Sequence, residues 1–258
     1  MRRWAIVVAL SGLTACGQVT SSPPTALDTA SAAAHKAADQ FVSLSASAAT
    51  TGAAPRQTDA TAGPLLNAVF NTAALPTTPV KDAELEVLND WLNSANRVGV
   101  VYILAGTGTT SIANATSATE QKANANVITY APEMGRYFDA ELAIMSLEAS
   151  STAQSLATDP GQTSNAKVAD GIAKVRGGIA QTANGVISTI AKPGVAADWR
   201  EARARALVAF APGAAKLLLP ADRAGLQAMA TQAAGSTSDP TLKAELTQFA
   251  TLIAPAGS

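Results

Sequence analysis

The chain has 258 residues, 48% hydrophobic, 14% charged and only 4% aromatic, with a single cysteine and a single histidine. Eighteen Lys and Arg against nineteen Asp and Glu leave a formal charge of −1, which excludes a strongly basic nucleic-acid surface. One cysteine cannot close a disulfide within the chain, and one histidine, His35, leaves almost no room for a histidine-based triad or metal cluster.

Arg2 and Arg3 precede a largely apolar stretch at residues 4–13. Its length fits the roughly 7–15 residues of a signal-peptide core and falls short of the roughly 20 that cross a bilayer. The stretch ends Leu13-Thr14-Ala15-Cys16. This resembles the lipobox of bacterial lipoproteins: an aliphatic residue, two small ones, then the cysteine. The resemblance covers the export signal alone. It implies a diacylglyceryl group on the Cys16 sulfur, cleavage between residues 15 and 16, and acylation of the freed amine. Each buried CH₂ contributes about 0.8 kcal/mol, so several acyl chains make a permanent membrane anchor. Gly17 stands where an aspartate would favour inner-membrane retention in enterobacterial lipoproteins, which points to the periplasmic face of the outer membrane. Loss of the leader leaves sixteen basic against nineteen acidic residues, a charge of −3. No other segment carries 18 consecutive apolar residues.

Residues 17–25 are small and polar around Pro23-Pro24 and read as a spacer. Residues 26–49 are alanine-rich with few bulky apolar side chains, and residues 43–63 are Ser/Thr/Ala/Gly low complexity. Residues 16–63 are therefore expected to form a flexible tether with one marginal helix, followed by one body at residues 64–258.

From Pro64 onward apolar residues recur at three- and four-residue steps between Gly and Pro punctuation. A short helix is expected over 65–75. The pattern Leu85, Leu88, Leu92, Ala95, Gly99, Tyr102 marks an amphipathic helix within 80–104, with Asp90, Asn93, Asn96 and Arg97 on its polar side. A second long pattern covers 117–157, where Pro132 either kinks one helix or opens a new one. Further helices are expected over 164–192, 196–210, 221–234 and 240–253, the last with Asp239 as N-cap and Pro240 in the first turn. The expected fold is all-α, an antiparallel bundle of about seven helices.

Several patterns could carry chemistry. Tyr130, Met134, Tyr137, Glu141, Ile144 and Glu148 share one helical stripe, with Phe138 beside it. Such a stripe could line a ligand cleft, and its two carboxylates could act as acid and base or hold a cation. The simpler reading places both glutamates on a solvated flank. Paired Glu-x-x-His motifs of di-iron bundles are absent, and no metal or cofactor is assigned. Gly171, Gly178 and Gly185 recur every seven residues, and close helix packing is the simplest use of glycines that each cost roughly 1 kcal/mol in a helix. Residues 98–104 followed by Gly106-Thr107-Gly108 look like a strand entering a phosphate loop, but a helix ending in a glycine turn accounts for them as well. Arg200, Arg203, Arg205 and Arg223 read as a solvated basic face with intrahelical ion pairs. The sequence holds no serine elbow, Walker loop or zinc-helix motif.

These readings favour a non-enzymatic, lipid-anchored module of the cell envelope that works through an envelope protein or ligand it meets. A periplasmic binding protein for a small or apolar ligand and a carboxylate-based cell-wall glycan enzyme are the alternatives.

Overall fold

The computed structural model describes residues 23–255 except 112, 114, 115 and 193. The lipobox and Cys16 lie outside the described residues. Among the described residues ten α-helices follow one another: α1 (Ala26–Leu44), α2 (Ala48–Thr51), α3 (Ala62–Val69), α4 (Asp82–Leu104), α5 (Ser117–Thr129), α6 (Ala131–Thr158), α7 (Ala166–Ile190), α8 (Ala197–Leu217), α9 (Pro220–Ser236) and α10 (Pro240–Ile253). Among the described residues there is no strand, so the phosphate-loop reading fails. Residues 98–104 are the last turns of α4, and Gly106 and Gly108 take positive φ in a turn whose amides donate to the carbonyls of Ala48 and Ala49.

The stop signals act where the residues place them. Pro132 opens a new helix instead of kinking the old one, because a proline in the first turn has no hydrogen bond to lose. Asp239 caps α10 by accepting from the Leu242 amide at 3.1 Å. Pro212, by contrast, lies inside α8, which continues seven residues past the expected end.

Residues 26–63 are not a tether. Alanines on α1 substitute for bulk by allowing close approach: Leu27, Ala34, Ala37, Ala38 and Phe41 are all buried against α3 and α4. A capping box at Thr25 and Asp28 starts the helix. The low-complexity segment after it is clasped to α6. Glu133, buried, accepts from the Gln57 amide at 2.9 Å and pairs with Arg56 at 3.4 Å. The Tyr130 hydroxyl meets the Gly52 carbonyl and the Ala54 amide, and Tyr102 donates to Pro55 at 2.8 Å.

The helices are not uniformly antiparallel. Ser31 meets Val87 and Asp39 meets Arg97 in the same order along both helices, so α1 and α4 run parallel. Asp139–Arg203 and Ser146–Phe210 show the same for α6 and α8. Val80–Ser151 and Asn96–Tyr137 run in opposite order, so α4 and α6 are antiparallel. Helix α6 sits centrally, packed on α4, α7 and α8. Among the described residues, no helix is long and apolar enough to cross a membrane.

Candidate functional site

The central position of α6 decides what its side chains can do. Its 28 residues pack on α4, α7 and α8, so the apolar period that defines one stripe does not define the whole helix. Tyr130, Met134, Tyr137, Phe138, Glu141 and Glu148 are all buried, none more than 8% exposed. The structure thus places all six in the core.

The aromatic members pack in a chain. Tyr137 stacks at 5.3 Å from Phe138 and 6.4 Å from Phe70, and Phe138 meets the Trp199 ring edge-on at 6.2 Å. Gly99 makes room for this, since a Cβ there would stand 2.7 Å from the Tyr137 ring. The Tyr137 hydroxyl donates to Asn96 Oδ1 at 3.1 Å. Asn96, expected on the polar side of α4, is buried for that reason.

The two glutamates are not on a solvated flank. Burial pushes the Glu141 carboxyl up to about 7, against the lowering influence of its hydrogen bonds to Thr182 (2.9 Å) and Tyr137. Burial alone pushes Glu148 up to about 7 as well. Taking an ionised carboxylate out of water costs far more than keeping it protonated, so near neutrality both groups hold a proton for part of the time. Tyr137 is held well above its ordinary range by burial and by the neighbouring Glu141. Seven residues of α-helix separate the glutamates by about 10 Å along the axis, too far for one cation to bridge. Among the described residues, no group of three His, Cys, Asp or Glu side chains is placed to hold a metal ion.

The opposite face of α6 carries a site that the apolar period does not reveal. Asp139, Ala143, Ser146 and Ser150 step 4, 3, 4 along α6 and line a groove of about 440 Å³. Its other walls are α8, through Ala206, Ala209, Phe210 and Lys216, and the segment Pro76–Pro79 that leads into α4. Gly213 sets the floor: a Cβ there would stand 2.5 Å from the Ser146 carbonyl, so α8 approaches α6 to backbone contact. At one end Arg203, nine-tenths buried, pairs with Asp139 through a single N–O contact. Asp139 Oδ1 and Arg203 Nε find no hydrogen-bond partner among the described residues. Burial raises the Asp139 carboxyl, with Arg203 pulling the other way.

The arginine cluster is taken apart by the fold. Arg203 serves Asp139 of α6, Arg200 faces Asp239 at 3.7 Å, and Arg223 donates to the last carbonyls of α10 at Ile253 and Ala254. Only Arg205, with Glu201 at 3.8 Å, makes the expected intrahelical pair. Among the seven-spaced glycines, Gly171 and Gly178 are buried, but Gly185 faces open space, so close packing does not explain all three. His35 is exposed on α1 and lies 3.6 Å from Asp39, one helical turn away.

No protein-family model, curated protein or solved structure matches this chain.

Proposed function

We propose that this protein is a lipid-anchored module of the bacterial cell envelope, held by acyl chains on Cys16, whose helical body acts by binding and not by catalysis. The anchor rests on the lipobox at residues 13–16, which places the only cysteine of the chain at the position that the resemblance needs. The non-enzymatic part rests on one structural observation: the aromatic–carboxylate stripe of α6 is spent on the core. An acid–base pair acting on a glycan needs both carboxyls at an open groove roughly 5–10 Å apart. Glu141 and Glu148 are 7% and 2% exposed. Gly17 favours the periplasmic face of the outer membrane as the address.

Intact-mass and peptide mass spectrometry of native membrane fractions tests the anchor. The expected product starts at Cys16 and carries diacylglyceryl and amide-linked acyl groups. A free thiol at position 16, or a leader trimmed elsewhere, overturns it. Cys16→Ser should leave the leader attached and abolish the lipid adduct. Affinity capture of the acylated protein tests the binding role, which recovery of the protein alone would overturn.

A further inference from the structure

Helix α7 holds Gly171, Gly177, Gly178 and Gly185 within its 25 residues. A Cβ at Gly177 or Gly185 would meet nothing within 4 Å, so packing does not require those two glycines. Each leaves the helix softer than an alanine would. Among the described residues, α7 side chains hydrogen-bond to other helices at two places. Arg176 donates to the Leu217 carbonyl at 2.8 Å, and Thr182, between Gly178 and Gly185, donates to Glu141 Oε1 at 2.9 Å. The other neighbours of α6 are held harder. Helix α8 reaches backbone contact at Gly213, pairs Arg203 with Asp139, and donates from Trp199 to the Ala131 carbonyl at 2.6 Å. Helix α4 is held by Tyr137 against Gly99 and Asn96, and the Val80 amide just before it donates to Ser151.

The Thr182 tie ends a chain of polar groups that crosses the core from α7 to α4 through Glu141, Tyr137 and Asn96. Thr182 and Tyr137 each have one hydrogen to give. That of Thr182 goes to Glu141, and that of Tyr137 goes to Asn96 Oδ1 at 3.1 Å. The contact between Glu141 and Tyr137 therefore needs a hydrogen from the carboxyl itself. A protonated Glu141 supplies it, and the whole chain is satisfied. An ionised Glu141 only accepts, so Tyr137 must turn its hydrogen away from Asn96. Among the described residues no charge compensates that carboxylate, because burial, Thr182 and Tyr137 are the influences on its proton. From α7 the half-buried Arg176 turns to Leu217, and from α8 Arg203 turns to Asp139. The charged residues of α4 are exposed apart from Glu84, which caps its own helix, and Glu120 and Lys122 of α5 do not act on Glu141. Glu148, two turns along α6, is held by burial alone. We infer that Glu141 is a proton latch for α7: protonated, it completes the chain from α7 to α4, and once its proton passes to water, α7 swings off α6. Opening hydrates the carboxylate and uncovers Ile172, Val175, Ile179 and Val186, the apolar face of α7. The inference goes beyond the proposed envelope role and does not depend on acylation of Cys16.

The sign follows from where the proton is held more tightly. Closed, the carboxyl sits at about 7, and open, it returns toward 4.5, so opening grows as pH rises between the two and levels off above. Hydrogen exchange of the full chain from pH 5 to pH 8, each rate divided by its intrinsic value, reads this directly. Amides of residues 178–190 should open more often than those of residues 204–214 in α8 at every pH, and their opening should rise at least about tenfold across the range. Glu141→Gln, which has no such proton to lose, should abolish the rise in α7. The Asn96 side-chain amide resonance should shift with the same midpoint as the Glu141 carboxyl carbon, and Tyr137→Phe should uncouple the two. A flat α7 profile, α7 and α8 opening together, a rise that persists in Glu141→Gln, or an Asn96 amide that ignores the Glu141 midpoint overturns the inference. Should Glu141→Gln not fold, Thr182→Val decides: losing a donor that favours the carboxylate should carry the midpoint to higher pH, and an unmoved midpoint overturns the latch.

Discussion

The two faces of α6 carry the same kinds of residue to opposite ends. On one, Glu141 and Glu148 are buried, Glu141 beside Thr182 of α7, where solvation is lost and the proton is held more tightly. On the other, Asp139 stays half-exposed beside a groove and pairs with an arginine. The comparison teaches that a carboxylate on an amphipathic stripe gains its chemistry from what the next helix does. Where a neighbour closes over it, it becomes a pH-sensitive core group. Where the Pro76–Pro79 segment and the small residues of α6 and α8 leave a groove, it stays at the surface.

The contrast can be broken most forcefully at Phe210, whose ring is buried under the groove floor. Phe210→Ala is expected to cost about 3–5 kcal/mol in urea unfolding, because it removes a large core side chain and leaves a cavity. A loss below about 1 kcal/mol would show that the two faces share less core than the packing implies.

The glutamate face makes the next largest prediction, and its sign is definite. Folding raises both carboxyls from 4.5 to about 7, so the folded chain binds their protons more tightly than the unfolded chain. Stability should therefore be highest below about pH 4.5 as far as these groups act, fall as pH rises to about 7, and level off above it. The full penalty is on the order of 3 kcal/mol per carboxyl. Glu148→Gln, which has no hydrogen bond to lose among the described residues, should raise the melting temperature at pH 8 and change it little at pH 4. An equal effect at both pH values would refute a buried, titrating carboxyl.

Glu133 offers a smaller effect on a different scale. Glu133→Ala releases the Gln57 amide and Arg56, and is expected to cost about 1–3 kcal/mol while hydrogen exchange quickens across residues 52–60. Unchanged exchange there would mean that Tyr102 and Tyr130 hold the segment without it. Smallest of all, Lys216→Ala and Ala209→Trp change exposed groove positions and should shift stability by less than about 0.5 kcal/mol.

Much of the fold could be read from the chain, for reasons visible at particular residues. Pro132, Asp159-Pro160, Asp239-Pro240 and the Gly106 turn set helix limits through local backbone chemistry, which acts wherever it occurs. The apolar steps of α4 exposed its core face. The same logic failed on α1, because alanine contributes little hydrophobicity per residue yet packs closely when a neighbour is flat enough to receive it. It failed again on Asn96, since periodicity identifies one buried face and α4 packs on several helices, and on the two glutamates, whose charge argued for solvent although the apolar stripe itself carries them. The groove's signal, small and polar residues at Asp139, Ala143, Ser146 and Ser150, was present but indistinguishable from an ordinary solvated flank.

The sequence by itself determined the all-α class and most helix limits, because propensity and capping are short-range. Only the tertiary structure decided which carboxylates lose water, which arginines find partners and where a channel stays open. Those outcomes depend on contacts between residues 40 to 80 positions apart, such as Arg203 with Asp139 and Gln57 with Glu133, and no local pattern encodes them.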